Sequence, residues 1–141
     1  MPWRDIVTDD TGTMLKSLIE KKEKKEKMKW RHTLSVILTL ILLGSLIARI
    51  FIYQQEILKE NPFDILSKNY LLLMAAIIAF LFQNYYYTKK KKAKDKFDRL
   101  RDEVIDHLNY TWYINMQPKI KEQISSYMQE NHDINVVYKS K

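Results

Sequence analysis

The sequence predicts an all-α membrane protein, a two-span transmembrane helical hairpin that is extended by cytoplasmic amphipathic helices. Hydrophobic residues make up 46% and charged residues 29% of the 141 positions, and the two kinds occupy separate blocks. A soluble domain instead interleaves them at helical or strand spacing. Only two Gly and three Pro are present, which favours long helices. The absence of Cys excludes disulfide scaffolds, thiol catalysis and cysteine-based metal centres.

Two apolar stretches predict the membrane spans, residues 34–53 with the single charge Arg49, and residues 70–87 with none. Each is long enough to cross a hydrocarbon core of about 30 Å. A pair of buried helices in a soluble bundle is the first alternative, and it is disfavoured because neither stretch has a polar face. A cleaved signal peptide is the second, and the charged leader before residue 34 is too long for one. The remaining segments are then a cytoplasmic N-terminal segment (1–33), an extracytoplasmic loop (54–69) and a basic juxtamembrane segment with a helical tail (88–141).

The distribution of Lys and Arg predicts the orientation in the cell membrane. Residues 15–33 carry eight of them and residues 88–101 another eight, whereas the loop carries only Lys59 and Lys68. Positively charged flanks stay in the cytoplasm, so both termini are expected inside and the loop outside.

Basic and aromatic residues beside the spans are predicted to contact anionic lipid headgroups. These residues are Lys27, Lys29, Trp30, Arg31, Tyr85, Tyr86, Tyr87, Lys89, Lys90, Lys91 and Lys92. Binding of nucleic acid is not expected, because the lysines lie next to the membrane and alternate with glutamates in residues 20–26.

Small residues predict how the spans pack. Gly44 and Ala48 form one small-x-x-x-small pair, and Ala75 and Ala79 form another, so the two backbones are expected to approach closely at these positions. A homodimer through the same faces is the rival arrangement. Arg49 is close enough to the outer end of its span to reach the lipid phosphates, although a charge inside a membrane is also a functional suspect.

The cytoplasmic segments read as amphipathic helices. The first is expected to start after Asp9 or Asp10 as its N-cap, and its apolar patch includes Leu15 and Leu18. Residues 97–112 carry a second apolar stripe at spacings of three and four. The two patches are predicted to meet in an antiparallel helical stalk, and the same surface is the candidate partner interface. The residues assigned to it are Leu15, Leu18, Val104, Leu108 and Trp112.

A further amphipathic helix is predicted beyond Gln117–Pro118, because Pro disfavours a helical residue before it and suits a new first turn. Residues 133–138 alternate in polarity, which is typical of a short strand or a packed tail.

The densest polar cluster comprises Asp102, Glu103, Asp106 and His107. Glu103 and His107 have the spacing of two metal ligands on one helix face, but two ligands are too few for a site. A solvated face with ion pairs from Asp95 to Arg99 and from Arg99 to Glu103 explains it more simply. With no catalytic motif present, we predict no enzyme, no cofactor and no small-molecule substrate.

Three stretches resemble the YpbF-like family of small two-pass membrane proteins from Bacillus-type bacteria: LIEKKEKKEKMKWRH, FDRLRDEVIDH and DINVVY. The resemblance implies a bacterial plasma membrane and the same topology, and it supplies no catalytic residues because that family is of unknown function. The prediction is therefore a non-enzymatic membrane anchor or adaptor. Its cytoplasmic helices, especially residues 110–113, would be presented to a protein partner or to a second copy. The alternative is an accessory or regulatory subunit of a membrane enzyme or transporter.

Overall fold

Three α-helices form the architecture of the computed structural model, which describes residues 7–52, 64, 67–110 and 118–139. They are α1 (Asp9–Ile52), α2 (Tyr70–Tyr110) and α3 (Pro118–His132). No strand occurs in these ranges, so the predicted all-helical fold is confirmed. The chain divides into two compact units. We call residues 1–27 with 91–141 the terminal unit and residues 28–90 the central unit.

The start of α1 differs by one residue from the prediction. Thr8, and not Asp9 or Asp10, is the N-cap. Its side-chain oxygen accepts a hydrogen bond from the Thr11 backbone N–H at 3.4 Å, and its carbonyl accepts one from Gly12 at 3.0 Å. A threonine hydroxyl can satisfy an unpaired donor of the first turn in this way. The two aspartates instead lie in the first turn, where they interact favourably with the helix dipole.

The other helix ends follow from local chemistry. Asn69 precedes α2, and its carbonyl accepts a hydrogen bond from Leu73 at 3.0 Å. Helix α3 begins at Pro118, as the predicted break requires. It ends at His132, and the next residue, Asp133, has a φ of 52° and donates its N–H to the Gln129 carbonyl at 3.1 Å. Asp tolerates this left-handed conformation better than most residues.

The terminal unit is built around one hydrophobic core that draws on all three helices and the tail. The N-terminal part of α1 and the C-terminal part of α2 bring together the two apolar patches that the spacing of three and four predicts, and α3 adds a third side. The core residues are Leu15, Leu18, Ile19, Phe97, Val104, Ile105, Leu108, Ile120, Ile124, Met128, Ile134 and Val136. Burial of this many large side chains supplies the driving force for folding.

Residues 133–139 form a packed tail and not a strand. Ile134 and Val136 are buried in the core. The side-chain oxygen of Asn135 accepts hydrogen bonds from the backbone N–H groups of Val137 at 2.9 Å and Tyr138 at 3.3 Å. This local turn bends the chain back, because an Asn side chain can mimic a backbone acceptor.

The central unit consists of the C-terminal part of α1 and the N-terminal part of α2. Both helices are long and apolar enough to cross a membrane, and only 6% of the apolar stretch in α1 and 11% of that in α2 is buried within the chain. A core helix of a soluble protein would be mostly buried.

Candidate functional site

The outer surface of the central unit is apolar. Large side chains such as Leu40 and Leu71 are 63% and 70% exposed, and similar residues surround both helices. A monomeric soluble protein rarely exposes contiguous apolar area on this scale. Such a surface is typical of helices that lie in lipid or against the apolar face of another protein.

A seam of small and hydroxyl side chains joins the two helices of the central unit. Its buried members are Ser35 and Thr39 on α1, and Ala76 and Ala79 on α2. The two hydroxyls donate to carbonyls of their own helix, Ser35 to His32 at 2.7 Å and Thr39 to Ser35 at 2.9 Å. Since their donors are satisfied internally, these residues can lie in a dry interface at little cost.

Two contacts set the antiparallel register of this pair. An Arg49 guanidinium nitrogen donates to the side-chain oxygen of Asn69 at 3.3 Å, and the His32 and Tyr87 rings lie 5.7 Å apart. Between these contacts, Thr39 comes level with Ala79. Arg49 thus has a polar partner, Asn69, within the chain.

The predicted packing residues are only partly at this seam. Ala79 is buried and Ala75 half-buried, but Gly44 and Ala48 are exposed, and no atom lies within 4 Å of a Cβ built on Gly44. Gly44 and Ala48 therefore lie outside the seam of the single chain, and the rival homodimer through this face stays a prediction. Ser35 and Thr39 lie four residues apart and so share one face of α1, whereas Gly44, five residues after Thr39, lies on another face. Hydroxyl residues also permit close approach of helices, and that signal was available in the sequence.

The basic and aromatic flanks are largely solvent-exposed side chains. Of the residues predicted to contact lipid, only Tyr86 and Lys90 are half-buried, and the others are exposed. The Lys89 ammonium lies 5.3 Å from the centre of the Tyr85 ring, a cation–π distance. Nearby, partial burial and then the charge of Lys90 lower the pKa of His32, so this ring is neutral at pH 7. The lipid contacts of the basic and aromatic flanks remain a prediction.

In the terminal unit, a polar network fastens the start of α1 to α2. The Thr11 hydroxyl oxygen lies 2.8 Å from His107 Nε2. It also lies 2.9 Å from the Thr8 hydroxyl oxygen. A hydroxyl beside an imidazole has the elements of an activated nucleophile. Thr11 is only 1% exposed, however, so a substrate cannot reach its oxygen, and we assign the network to packing.

Two members of the acidic cluster around His107, Asp102 and Asp106, form ion pairs. Both carboxylate oxygens of Asp106 contact the Lys139 ammonium, at 2.7 and 2.8 Å, and this hydrogen bond raises the pKa of Lys139. Asp102 lies 3.7 Å from Arg101. Among the residues that the structure describes, no group of three or more His, Asp or Glu side chains could hold a metal ion.

Two further cationic contacts fasten α1 to the rest of the terminal unit. Lys22 donates to the Asp133 carboxylate at 3.2 Å and to its carbonyl at 3.1 Å. The Lys25 ammonium lies 4.3 Å from the centre of the Phe97 ring, and burial lowers its pKa, opposed by the nearby Asp98. Sequence reasoning missed Asp133 and Lys139 as partners, since no local pattern signals contacts so distant along the chain.

Four of the five residues predicted as a partner interface are buried inside the terminal unit. The core of the single chain contains Leu15, Leu18, Val104 and Leu108, so these side chains are not accessible to a partner. The fifth residue, Trp112, lies outside the described residues. Tyr110 and Tyr138, in contrast, are 82% and 75% exposed. We call these two exposed residues, which stand at the end of α2 and in the tail, the aromatic surface.

Comparison with known proteins agrees with the resemblance seen in the sequence. Residues 14–139 match the family described as "Protein of unknown function (DUF2663)". The uncharacterized protein YpbF of Bacillus subtilis (strain 168) is 33% identical over 148 residues, which cover 97% of this chain and 95% of the relative. No solved structure matches the chain. With nearly the whole sequence covered, the chain belongs to the DUF2663 family of proteins of unknown function.

Proposed function

We propose that this protein is a non-enzymatic, two-pass anchor of the bacterial cell membrane that holds a small helical domain in the cytoplasm. The observation that carries the proposal is the exposed apolar surface of the central unit, where 6% and 11% of the two apolar stretches are buried. Lipid satisfies such a surface directly. The lysine-rich flanks on both sides of the spans favour cytoplasmic termini, with anionic headgroups as their partners.

The absence of Cys from the sequence makes this topology directly testable. Single cysteines at Lys24 and Gln129, both exposed, and at Glu60 in the loop provide three unique labelling sites. On intact cells, an impermeant maleimide should label only the Glu60 variant, and all three should react after permeabilisation. Labelling of Lys24→Cys or Gln129→Cys on intact cells would refute the orientation. Recovery of the protein without detergent would refute the membrane anchor itself.

We further propose that the aromatic surface at Tyr110 and Tyr138 receives a protein partner or a second copy. Exposed tyrosines supply large contact area at low entropic cost and are enriched at interfaces. A photo-crosslinking residue at either position of the full chain in native membranes should form adducts. The same residue at Gln123, an exposed position on α3, serves as the matched control. Equal yields at all three positions would contradict the assignment.

The second candidate function is an accessory or regulatory subunit of a membrane enzyme or transporter. The exposed Gly44 and Ala48 favour it, because a small-x-x-x-small face with nothing packed on it suits the close approach of another helix. Crosslinkers at these positions would then capture a membrane protein, whereas the adaptor predicts capture at Tyr110. The two functions are thus separated by which position yields the adduct.

A further inference from the structure

A cationic groove lies on the terminal unit, apart from the aromatic surface and the polar network. It has a volume of about 340 Å³ and is lined by Lys21 from α1 and by Lys96, Arg99, Leu100 and Glu103 from α2. The four α2 residues recur at spacings of three and four, which puts them on one face of the helix. The groove is open to solvent and its lining is mostly polar, which suits a small charged ligand.

In the described part of the terminal unit, no ion pair neutralises the three cations of this groove. The predicted ion pairs of Arg99 with Asp95 and with Glu103 are not formed. Within the described ranges, Lys21, Lys96 and Arg99 have neither an ion pair nor a side-chain hydrogen bond. Three cations and one carboxylate give the groove a net charge of +2 (3 − 1). Such a concentration of one sign attracts a counter-charged ligand.

We propose that this groove binds a phosphate monoester. Such a group carries a charge of about −1.5 to −2 at pH 7, which matches the groove. The Arg99 guanidinium can donate two parallel hydrogen bonds to its oxygens, and the lysines add point charges. Leu100 offers an apolar contact to the organic part of the ligand. The monoester is either a lipid headgroup, as in phosphatidic acid, or a soluble phosphorylated metabolite.

The experiment uses the full chain in phosphatidylcholine nanodiscs and follows the backbone amide chemical shifts of residues 96–103. In one arm glycerol 3-phosphate is titrated into the sample. In the other arm the discs contain either phosphatidic acid or phosphatidylglycerol at equal total charge. A saturable shift with glycerol 3-phosphate alone identifies a soluble ligand. A shift with phosphatidic acid that phosphatidylglycerol does not reproduce identifies a headgroup, and either result supports the proposal.

Charge-matched variants separate a site from general attraction. Lys96→Gln with Arg99→Gln should weaken binding about tenfold. Lys24→Gln with Lys94→Gln, which removes one exposed charge from each of α1 and α2 outside the groove, should change it less than about twofold. Glu103→Gln should tighten binding by about threefold, because it removes a repelling carboxylate. The last variant keeps the test decisive if the first pair fails to fold.

No shift in either arm would overturn the proposal, as would equal losses in the two double variants or no gain in Glu103→Gln. The soluble arm requires no particular membrane topology. Failure of the groove and failure of the proposed anchor function are therefore distinguishable.

Discussion

The core of the terminal unit makes the sharpest quantitative prediction, through the substitution Leu18→Ala. Leu18 is fully buried and shares the core with Val104, Leu108 and Ile124. Truncating a buried leucine loses its transfer free energy and leaves a cavity, which together cost about 2–5 kcal/mol. Whole domains are typically stable by only about 5–15 kcal/mol, so this single change should remove a large share of the free energy of unfolding of the terminal unit.

A matched control lies on the same helix. Leu40 belongs to the central unit and is 63% exposed, so Leu40→Ala leaves no cavity inside the protein. We expect it to change the stability of the terminal unit by less than about 0.5 kcal/mol. Residue type, helix and substitution are the same at Leu18 and Leu40, and only the packing differs.

Hydrogen exchange of the α3 amides near Ile124 and Met128 measures the effect, in the full chain in nanodiscs. Because every 1.4 kcal/mol corresponds to a factor of ten, Leu18→Ala should accelerate exchange by about thirtyfold to a few thousandfold. The α3 amides are informative because Leu18 lies on a different helix. If Leu18→Ala left α3 protection unchanged, the three helices would not form one cooperative core and the reasoning would fail.

Three further predictions concern the helix start, the seam and a histidine. Thr8→Ala should cost about 1 kcal/mol by loss of the N-cap, seen as faster exchange in the first turn of α1, while Thr8→Ser should behave like the unmodified protein. Thr39→Leu should overpack the seam and lower the free energy of unfolding by about 1–3 kcal/mol, measured by denaturation of the detergent-solubilised chain. Gly44→Leu should be tolerated, because nothing lies within 4 Å of a Cβ at this position. A larger loss of stability in Gly44→Leu than in Thr39→Leu would refute the register. His32 should titrate by NMR below its ordinary pKa of 6.5 and shift upward in Lys90→Gln. Because the folded state binds that proton less readily than the unfolded state, stability should fall as pH drops from 6.5 through the folded pKa.

Most of the helical fold could be predicted from the local periodicity of the sequence. The 3–4 spacing of apolar residues identified both halves of the terminal core, and Pro118 located the start of α3. Such features depend on neighbours one turn away, and a sequence records those neighbours directly. The N-cap was misplaced by one residue because Thr8, Asp9 and Asp10 are all good caps, and only the side-chain geometry distinguishes them.

Contacts between distant residues could not be predicted in the same way. Lys22 meets Asp133, and Lys139 meets Asp106, because the tail folds back after α3. The sequence offers several acidic residues as possible ion-pair partners for each of these lysines, and tertiary packing determines which pair forms. Tertiary packing likewise leaves Arg99 without ion pairs to its predicted i,i+4 partners, Asp95 and Glu103. The i,i+4 spacing predicts that these charges are paired, and the cationic groove was therefore not predicted.

The kind of residue that is buried changes along the same two helices. Among the described residues, the buried positions of the central unit are Ser, Thr and Ala, whereas those of the terminal unit are chiefly Leu, Ile, Val, Phe and Met. Water drives large apolar side chains together, but lipid does not, and helices in lipid associate through small residues that allow close contact. A soluble bundle would be expected to show one pattern throughout. The change occurs beside the lysine clusters, where the proposed anchor would leave the membrane, so the packing and the charge pattern support the proposal independently.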